Sequence, residues 1–230
     1  MEKFAFILHP LSLQDMEHLS PLMRYIPNPI IEACLKMKKP FKVSHITGIK
    51  SPYAEAEGWF IGCPLTAKQM VELPEEFVMD RIIESGKVAQ ELGAKIVGLG
   101  AFTSIVGDAG ITVAKNLDIA VTSGNSYTVA TAIQGTKQAA RMMGKDLKEC
   151  RAVVVGATGS IGAASVRLLA KEVKHITLVA RHMGPLEELA QELIEQNHCE
   201  VAVSQDIRTS LQEADIVITV TSALNFLIEP

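Results

Sequence analysis

The chain has 230 residues, a net charge of −4 and 48% hydrophobic residues. This composition is typical of one large or two small globular domains and excludes a disordered chain. The negative charge excludes the basic surface on which nucleic-acid binding depends. No apolar run reaches the roughly 20 residues that span a bilayer, and the N-terminus is too short and acidic for a signal peptide. The four cysteines contain no CxxC pair, so we expect no metal site and a cytoplasmic location.

The first part of the chain, residues 1–146, is expected to form an α/β substrate domain. Its strands are predicted from short apolar runs and its helices from periodic apolar residues between glycine or proline stops. In chain order, we predict a strand at 4–8, a helix at 12–19, a proline-rich loop over 21–40, a hairpin formed by 41–49 and 58–63, a helix at 75–92, strands at 95–100 and 119–122, and a helix at 127–143.

Two strands of this part end in polar, glycine-rich loops, and such strand ends hold ligands in α/β folds. The first loop follows Gly100 and the second follows Thr122. From these loops we choose Ser104, Asn125 and Tyr127 as catalytic candidates, because a carbonyl reduction needs polar groups that orient and polarise the substrate. Helix capping by Gly124 and Asn125 explains the second loop equally well.

A dinucleotide-binding fingerprint follows. The β-branched residues 153–155 lead into glycines at 156, 159 and 162, after which an apolar periodic segment runs from 161 to 170. A strand, a glycine turn and a helix are the context that this motif requires. The glycines permit the turn and the close approach of the backbone to a pyrophosphate, which the helix N-terminus attracts. A glycine turn that only packs a helix on a sheet is the alternative.

Three further strands follow the fingerprint and complete a Rossmann domain over residues 147–230. Apolar runs predict them at 175–180, 200–203 and 215–220, with helices starting at Gly184 and near Thr209. Right-handed crossovers give the strand order 3-2-1-4. The chain is therefore predicted to be an α/β protein with two domains. We expect the second domain to be C-terminally truncated, because a full domain of this kind usually continues beyond its fourth strand, and a homo-oligomer is one way to cover the resulting edge.

The residue after the second strand of this domain favours NADP over NAD. NAD-binding domains commonly place Asp or Glu there, whereas this chain has Arg181 followed by His182. An arginine pairs with a 2′-phosphate through two hydrogen bonds. Pairing of Arg181 with Glu187 or Glu188 is the alternative. The residues predicted to contact the cofactor lie at strand ends or helix starts. They are Gly156, Thr158, Gly159, Ser160, Ile161, Gly162, Arg181, Asp206, Thr221 and Ser222.

Three stretches resemble sequence motifs of the cyanobacterial-type long-chain fatty acyl-ACP reductases. Related bacterial amino-acid and shikimate-type dehydrogenases carry similar motifs. They are Gly100–Ile105, Thr122–Thr128 and Val154–Gly162. The resemblance implies an N-terminal substrate domain, an NADPH-binding Rossmann domain and reduction of an acyl thioester to an aldehyde. It also implies that a cysteine carries the acyl group and that the substrate is a small molecule or an acyl-carrier protein. In the family this cysteine lies beyond the later strands, where this chain has none to match.

Two other functions remain open from the sequence. The first is a shikimate-like dehydrogenase of hydroxy acids or amino acids, but the lysine–aspartate pair typical of those enzymes has no matching motif here. The second is a non-catalytic nucleotide-binding subunit. Cys63, at a strand end, is a possible nucleophile, although a buried structural role is the more common fate of such a cysteine.

Overall fold

The protein was analysed as a computed structural model, which describes residues 2–15, 24–196, 199–221 and 228. It divides into two compact units, Met1–Gly124 and Asn125–Pro230. The predicted boundary at 146/147 differs from this division by one helix, Asn125–Met142. The packing explains why that helix belongs to the second unit, because Val129 and Ile133 are buried in the core of that unit. Two independently folding domains divided at 146/147 remain a prediction.

The first unit contains a five-stranded sheet with the order β2-β3-β1-β4-β5. Strand β2 is antiparallel to β3, as predicted for a hairpin, and the other neighbours are parallel. The elements of this unit are β1 (Glu2–Leu8), α1 (Asn28–Met37), β2 (Phe41–Lys50), β3 (Glu55–Gly62), α2 (Ala67–Glu72), α3 (Glu75–Glu91), β4 (Ile96–Leu99), α4 (Ile111–Lys115) and β5 (Ala120–Thr122). A short 3₁₀ turn occupies Ala101–Ser104.

Helix α3 provides much of the core of the first unit. Val78 and Ile82 are fully buried in the same hydrophobic core as Ile7 of β1 and Val97 of β4. The apolar spacing in the sequence predicted this helix, and Gly93 follows it with a φ of +86°, which is the left-handed conformation that favours glycine at a helix C-terminus. For the strands and the helix predicted between residues 41 and 100, each predicted end lies within three residues of the observed one.

The prediction of a loop over 21–40 was wrong, because α1 occupies Asn28–Met37. Pro29 lies in the first helical turn, where proline costs no hydrogen bond and its fixed φ suits the helix. Ile31 and Leu35, four residues apart, form the buried face. The proline count obscured this pattern. Residues 16–19, half of the predicted helix at 12–19, lie outside the described residues.

The second unit is a four-stranded, fully parallel sheet with the order β8-β7-β6-β9, which confirms the predicted order 3-2-1-4. Its elements are α5 (Asn125–Met142), β6 (Arg151–Val155), α6 (Ser160–Leu169), β7 (His175–Val179), α7 (Met183–Gln196), β8 (Glu200–Ser204), α8 (Ile207–Leu211) and β9 (Ile216–Thr219). Helices α5, α6 and α7 share one core with Val154 and Leu178. Helix α8 covers the opposite face, against Val153 and Val155. The sheet is therefore wound on both faces.

Helices α5 and α6 run side by side in the same direction. The side-chain amide of Asn125 donates a hydrogen bond to the Ser160 hydroxyl over 2.9 Å, and twelve residues further along Lys137 pairs with Glu172 over 2.6 Å. Both pairs join residues 35 positions apart, and Glu172 lies in the turn just after α6, so α5 keeps one register with the segment 160–172. Their N-termini consequently lie together.

Asp215 connects the start of β9 to the start of β6. Its carboxylate accepts hydrogen bonds from the Lys145 ammonium and from the backbone N–H of Arg151. The Lys145 bond is the main cause that holds the pKa of Asp215 below its usual value. A carboxyl group whose pKa is lowered by folding stabilises the fold above its unfolded pKa and loses that contribution as the pH falls through the folded pKa.

We therefore expect Asp215→Asn to be less stable than the wild type near neutral pH. The difference should begin to shrink as the pH falls below about 4, the usual pKa of an aspartate, and should vanish once the pH has passed the lower pKa of the folded wild-type carboxyl group. Urea denaturation at several pH values measures this. Glu213→Gln is the matched control, because Glu213 pairs with Arg151 at the surface and is 73% exposed, so its loss should change little. A difference that stays constant from neutral to acidic pH would contradict the role of the charged carboxylate.

Candidate nucleotide-binding site

The second unit has a cleft of about 250 Å³ at the carboxyl ends of its strands. Helix α6 leaves β6 on one face of the sheet and α8 leads to β9 on the other, so the cleft lies where the winding changes direction. Ligands of open α/β sheets bind at this point. The last residues of β6 and β7 and the segments that follow all four strands line the cleft. The lining consists of Val155, Gly156, Thr158, Gly159, Val179, Ala180, Arg181, His182, Gln205, Ile207, Val220 and Thr221.

Gly156 makes the turn from β6 toward α6. Its φ is +85°, and its N–H donates to the Val179 carbonyl of β7 over 2.8 Å. A Cβ at this position would collide with the Val220 carbonyl oxygen. Only glycine therefore fits both the backbone conformation and the space between β6 and β9.

Gly162 lies in the first turn of α6 and is buried. A Cβ here would collide with the carbonyl oxygen of Gly156, so the helix lies as close to the turn as the backbone allows. The N–H groups of the first helical turn have no partner four residues earlier and point toward the helix start. Ser160, Ile161 and Gly162 do not line the cleft, but they form this first turn, so their N–H groups lack helical acceptors. A glycine turn followed by such N–H groups fits the pyrophosphate of a dinucleotide.

Arg181 and His182 line the cleft just after β7, where an acidic residue would select NAD. Both side chains are exposed. In the described part of the chain, no ion pair joins Arg181 to Glu187 or Glu188, which was the alternative from the sequence. The guanidinium is therefore available to an anionic ligand.

The residues predicted to contact the cofactor after β8 and β9 differ in whether they line the cleft. Thr221 lines the cleft, and Ser222 lies outside the described residues. The Asp206 carboxylate caps α8 by accepting from the Thr209 N–H over 3.3 Å, and that hydrogen bond holds the pKa of Asp206 below its usual value. Ile207, its neighbour, lines the cleft instead. An aliphatic side chain at this place suits the face of an adenine ring.

The three catalytic candidates occur in both units. Ser104 lies in the first unit, half-buried, and its hydroxyl donates to the Ala101 carbonyl over 2.7 Å. In the second unit, Asn125 is bonded to Ser160 at the start of α6, and Tyr127 is 78% exposed. The structure thus places Asn125 beside the fingerprint. The catalytic roles of all three residues remain predictions.

Gln205 is a cleft residue that the sequence analysis missed. It follows β8 directly, and its side-chain amide donates a hydrogen bond to the Arg181 carbonyl oxygen over 2.5 Å. Its place directly after a predicted strand was the available signal, but no pattern in the sequence indicates a partner 24 residues away.

Burial changes the chemistry of three of the four cysteines. It raises the pKa of the Cys63 thiol to about 11, and it raises the pKa of Cys150 and Cys199 as well. A thiol with a raised pKa is a poor nucleophile at neutral pH. The interpretation of Cys63 as a buried residue is confirmed, because it is fully buried.

The described ranges lack two features of other protein classes. No cluster of three or more His, Cys, Asp or Glu side chains gathers there as a metal site. None of the described helices combines the length and hydrophobicity of a membrane span.

Residues 137–230 match the family model described as shikimate / quinate 5-dehydrogenase. Over 158 residues the chain is 29% identical to the long-chain acyl-[acyl-carrier-protein] reductase of Synechococcus elongatus, covering 62% of this chain and 42% of the reductase. It is 28% identical over 236 residues to the aminotransferase PigE of a Serratia strain, covering 96% of this chain and 27% of that protein. The chain thus spans less than half the length of these two relatives.

The fold was also compared with solved structures. The L-tryptophan dehydrogenase of Nostoc punctiforme aligns over 95% of this chain and 56% of its own, with a TM-score of 0.42 and 15% identity. The family match covers most of the unit in which the glycine turn and the parallel strands form the cleft. Together, the family match and the doubly wound parallel sheet support an oxidoreductase with a Rossmann-type nucleotide-binding unit.

Proposed function

We propose that the protein is an NADP-dependent oxidoreductase that reduces an acyl thioester or a related carbonyl substrate. The observation that carries the choice of NADP is the position of Arg181, which lines the cleft at the end of β7. An acidic side chain there would repel a 2′-phosphate, whereas a guanidinium binds it with two charge-assisted hydrogen bonds.

The chain's own residues account for binding along the whole dinucleotide. The first-turn N–H groups of α6 would hold the pyrophosphate, and Ile207 and Thr221, which line the cleft, would face the adenine and the nicotinamide. When bound, NADPH supplies the hydride. Asn125, whose amide is tied to Ser160, is placed to orient a substrate carbonyl near the start of α6.

The acyl thioester is the substrate class that the resemblance favours. Gly100–Ile105 and Thr122–Thr128 resemble sequence motifs of the acyl-ACP reductases, and a reductase of this kind is one of the relatives. The raised pKa values of Cys63, Cys150 and Cys199 argue against an acyl-enzyme on these thiols. Cys34 is exposed, but it does not match the acyl-carrying cysteine of the family. In this chain we therefore propose direct reduction of a bound thioester, carried by a small molecule or an acyl-carrier protein.

Reduction of a hydroxy-acid precursor or an amino-acid precursor is the second candidate, and the match to the shikimate / quinate dehydrogenase model favours it. That match falls almost wholly within the nucleotide-binding unit, so it supports the cofactor more than the substrate. A nucleotide-binding subunit without turnover is the third candidate. A cytoplasmic location and a homo-oligomer are parts of the same proposal.

An assay with two substrate classes separates these candidates. The purified chain is mixed with NADPH and a long-chain acyl thioester, and loss of the reduced nicotinamide absorbance is followed. In a second assay it is mixed with NADP and shikimate, whose hydroxyl group would be oxidised, and gain of that absorbance is followed. We expect oxidation of NADPH with the thioester, together with release of a free thiol and an aldehyde. Turnover of shikimate alone would favour the second candidate, and nucleotide binding without any turnover would favour the third.

A further inference from the structure

We propose that Gln205 is a positioning residue that sets the nucleotide preference by fixing the backbone of Arg181. The inference rests on the proposed NADP specificity and adds a second residue to it. Gln205 donates its side-chain N–H to the Arg181 carbonyl oxygen, and both residues line the cleft. The bond joins the segment after β8 to the segment after β7, across the mouth of the cleft.

The backbone on both sides of Gln205 is itself held in place. The Ser204 hydroxyl accepts from the Asp206 N–H over 3.0 Å and donates to the Asp206 carbonyl over 3.2 Å. Asp206 in turn caps α8 through the Thr209 N–H. Gln205 thus projects from a segment fastened to β8 before it and to α8 after it.

Arg181, by contrast, begins the connection from β7 to α7, and its side chain is exposed. A long, exposed arginine side chain has many rotamers, so its placement depends on where its own backbone is held. Fixing the Arg181 carbonyl lowers the number of positions open to the guanidinium before the nucleotide binds. This preorganisation strengthens binding of a 2′-phosphate and leaves a 2′-hydroxyl almost unaffected.

The first test is the ratio of the Kd values for NADH and NADPH in Gln205→Met. Methionine keeps the length of the side chain and removes the donor without adding charge. We expect the preference for NADPH to fall about three- to tenfold, the effect of one hydrogen bond, while the Kd for NADH stays within about twofold. Gln191→Met is the matched control, because Gln191 also donates one hydrogen bond, to Glu195, but lies outside the cleft.

The second test needs no nucleotide. Trypsin cleaves after arginine, and the carbonyl that it attacks at Arg181 is the one that Gln205 holds. We expect faster cleavage between residues 181 and 182 in Gln205→Met than in the wild type, with unchanged thermal stability.

An unchanged cleavage rate would overturn the inference, as would an unchanged nucleotide ratio in a variant that is cleaved faster. In either case, a loss of preference in Arg181→Ala would leave the NADP assignment standing. A wild type that binds both nucleotides equally would overturn the NADP assignment and the specificity role of Gln205 together.

Discussion

Replacing Gly162 with alanine is expected to weaken NADPH binding more than tenfold and to destabilise the second unit by about 1–3 kcal/mol, the usual range for overpacking. The added methyl group would collide with the Gly156 carbonyl oxygen, which is backbone and has little room to move. The start of α6 must then shift away from the turn, and its N–H groups leave the place where a pyrophosphate is held. Fluorescence titration and thermal denaturation measure the two effects.

Gly135→Ala is the matched control for this prediction. Gly135 lies inside α5, and a Cβ there would meet no other atom within 4 Å. Alanine is the better helix former by about 1 kcal/mol, so this variant should be as stable as the wild type or more so. Nucleotide binding by Gly162→Ala within twofold of the wild type would show that the close contact does not shape the site.

Arg181→Ala is expected to raise the Kd for NADPH about 10- to 100-fold, which corresponds to the loss of hydrogen bonds to a charged group worth about 1.5–3 kcal/mol. The Kd for NADH should change less than about twofold, because a ribose 2′-hydroxyl gains little from a guanidinium. Calorimetric titration with each nucleotide gives both values. Added salt should also reduce the wild-type preference, since the interaction is between exposed charges.

Arg141→Ala controls for the loss of a surface arginine in the same unit. Arg141 is exposed in the last turn of α5 and does not line the cleft. Its replacement should leave both Kd values unchanged. If Arg181→Ala weakens NADH and NADPH equally, Arg181 supports the cleft in general and does not read the 2′-position.

Apart from the assignment of α5, which was expected in the first domain, the elements of the nucleotide-binding unit could be predicted from local signals. The β-branched run at 153–155, the glycines after it and the apolar stripe of α7 each specify an element by themselves, and the handedness of crossovers then fixes the strand order. Gly156 and Gly162 were predicted on the same basis, because close backbone approach demands glycine whatever the rest of the chain does.

The remainder was missed for reasons that are partly local and partly distant in the sequence. The Asp206 carboxylate accepts a hydrogen bond from the backbone N–H three residues later. It therefore caps α8 and does not face the cleft. Gln205 acquires its partner only when β7 and β8 pair. Helix α1 was missed for a local reason, since proline is read as a break although the first helical turn accepts it.

The common register of α5 and α6 places a constraint on how the chain can change in length. One residue inserted between Asn125 and Lys137 would turn the rest of α5 by about 100°, so the Asn125–Ser160 and Lys137–Glu172 bonds could not form together. Insertions in the connection after Met142 would leave both bonds intact. Among natural variants of this protein, we therefore expect gaps to accumulate between 143 and 150, and the spans 125–137 and 160–172 to keep their lengths.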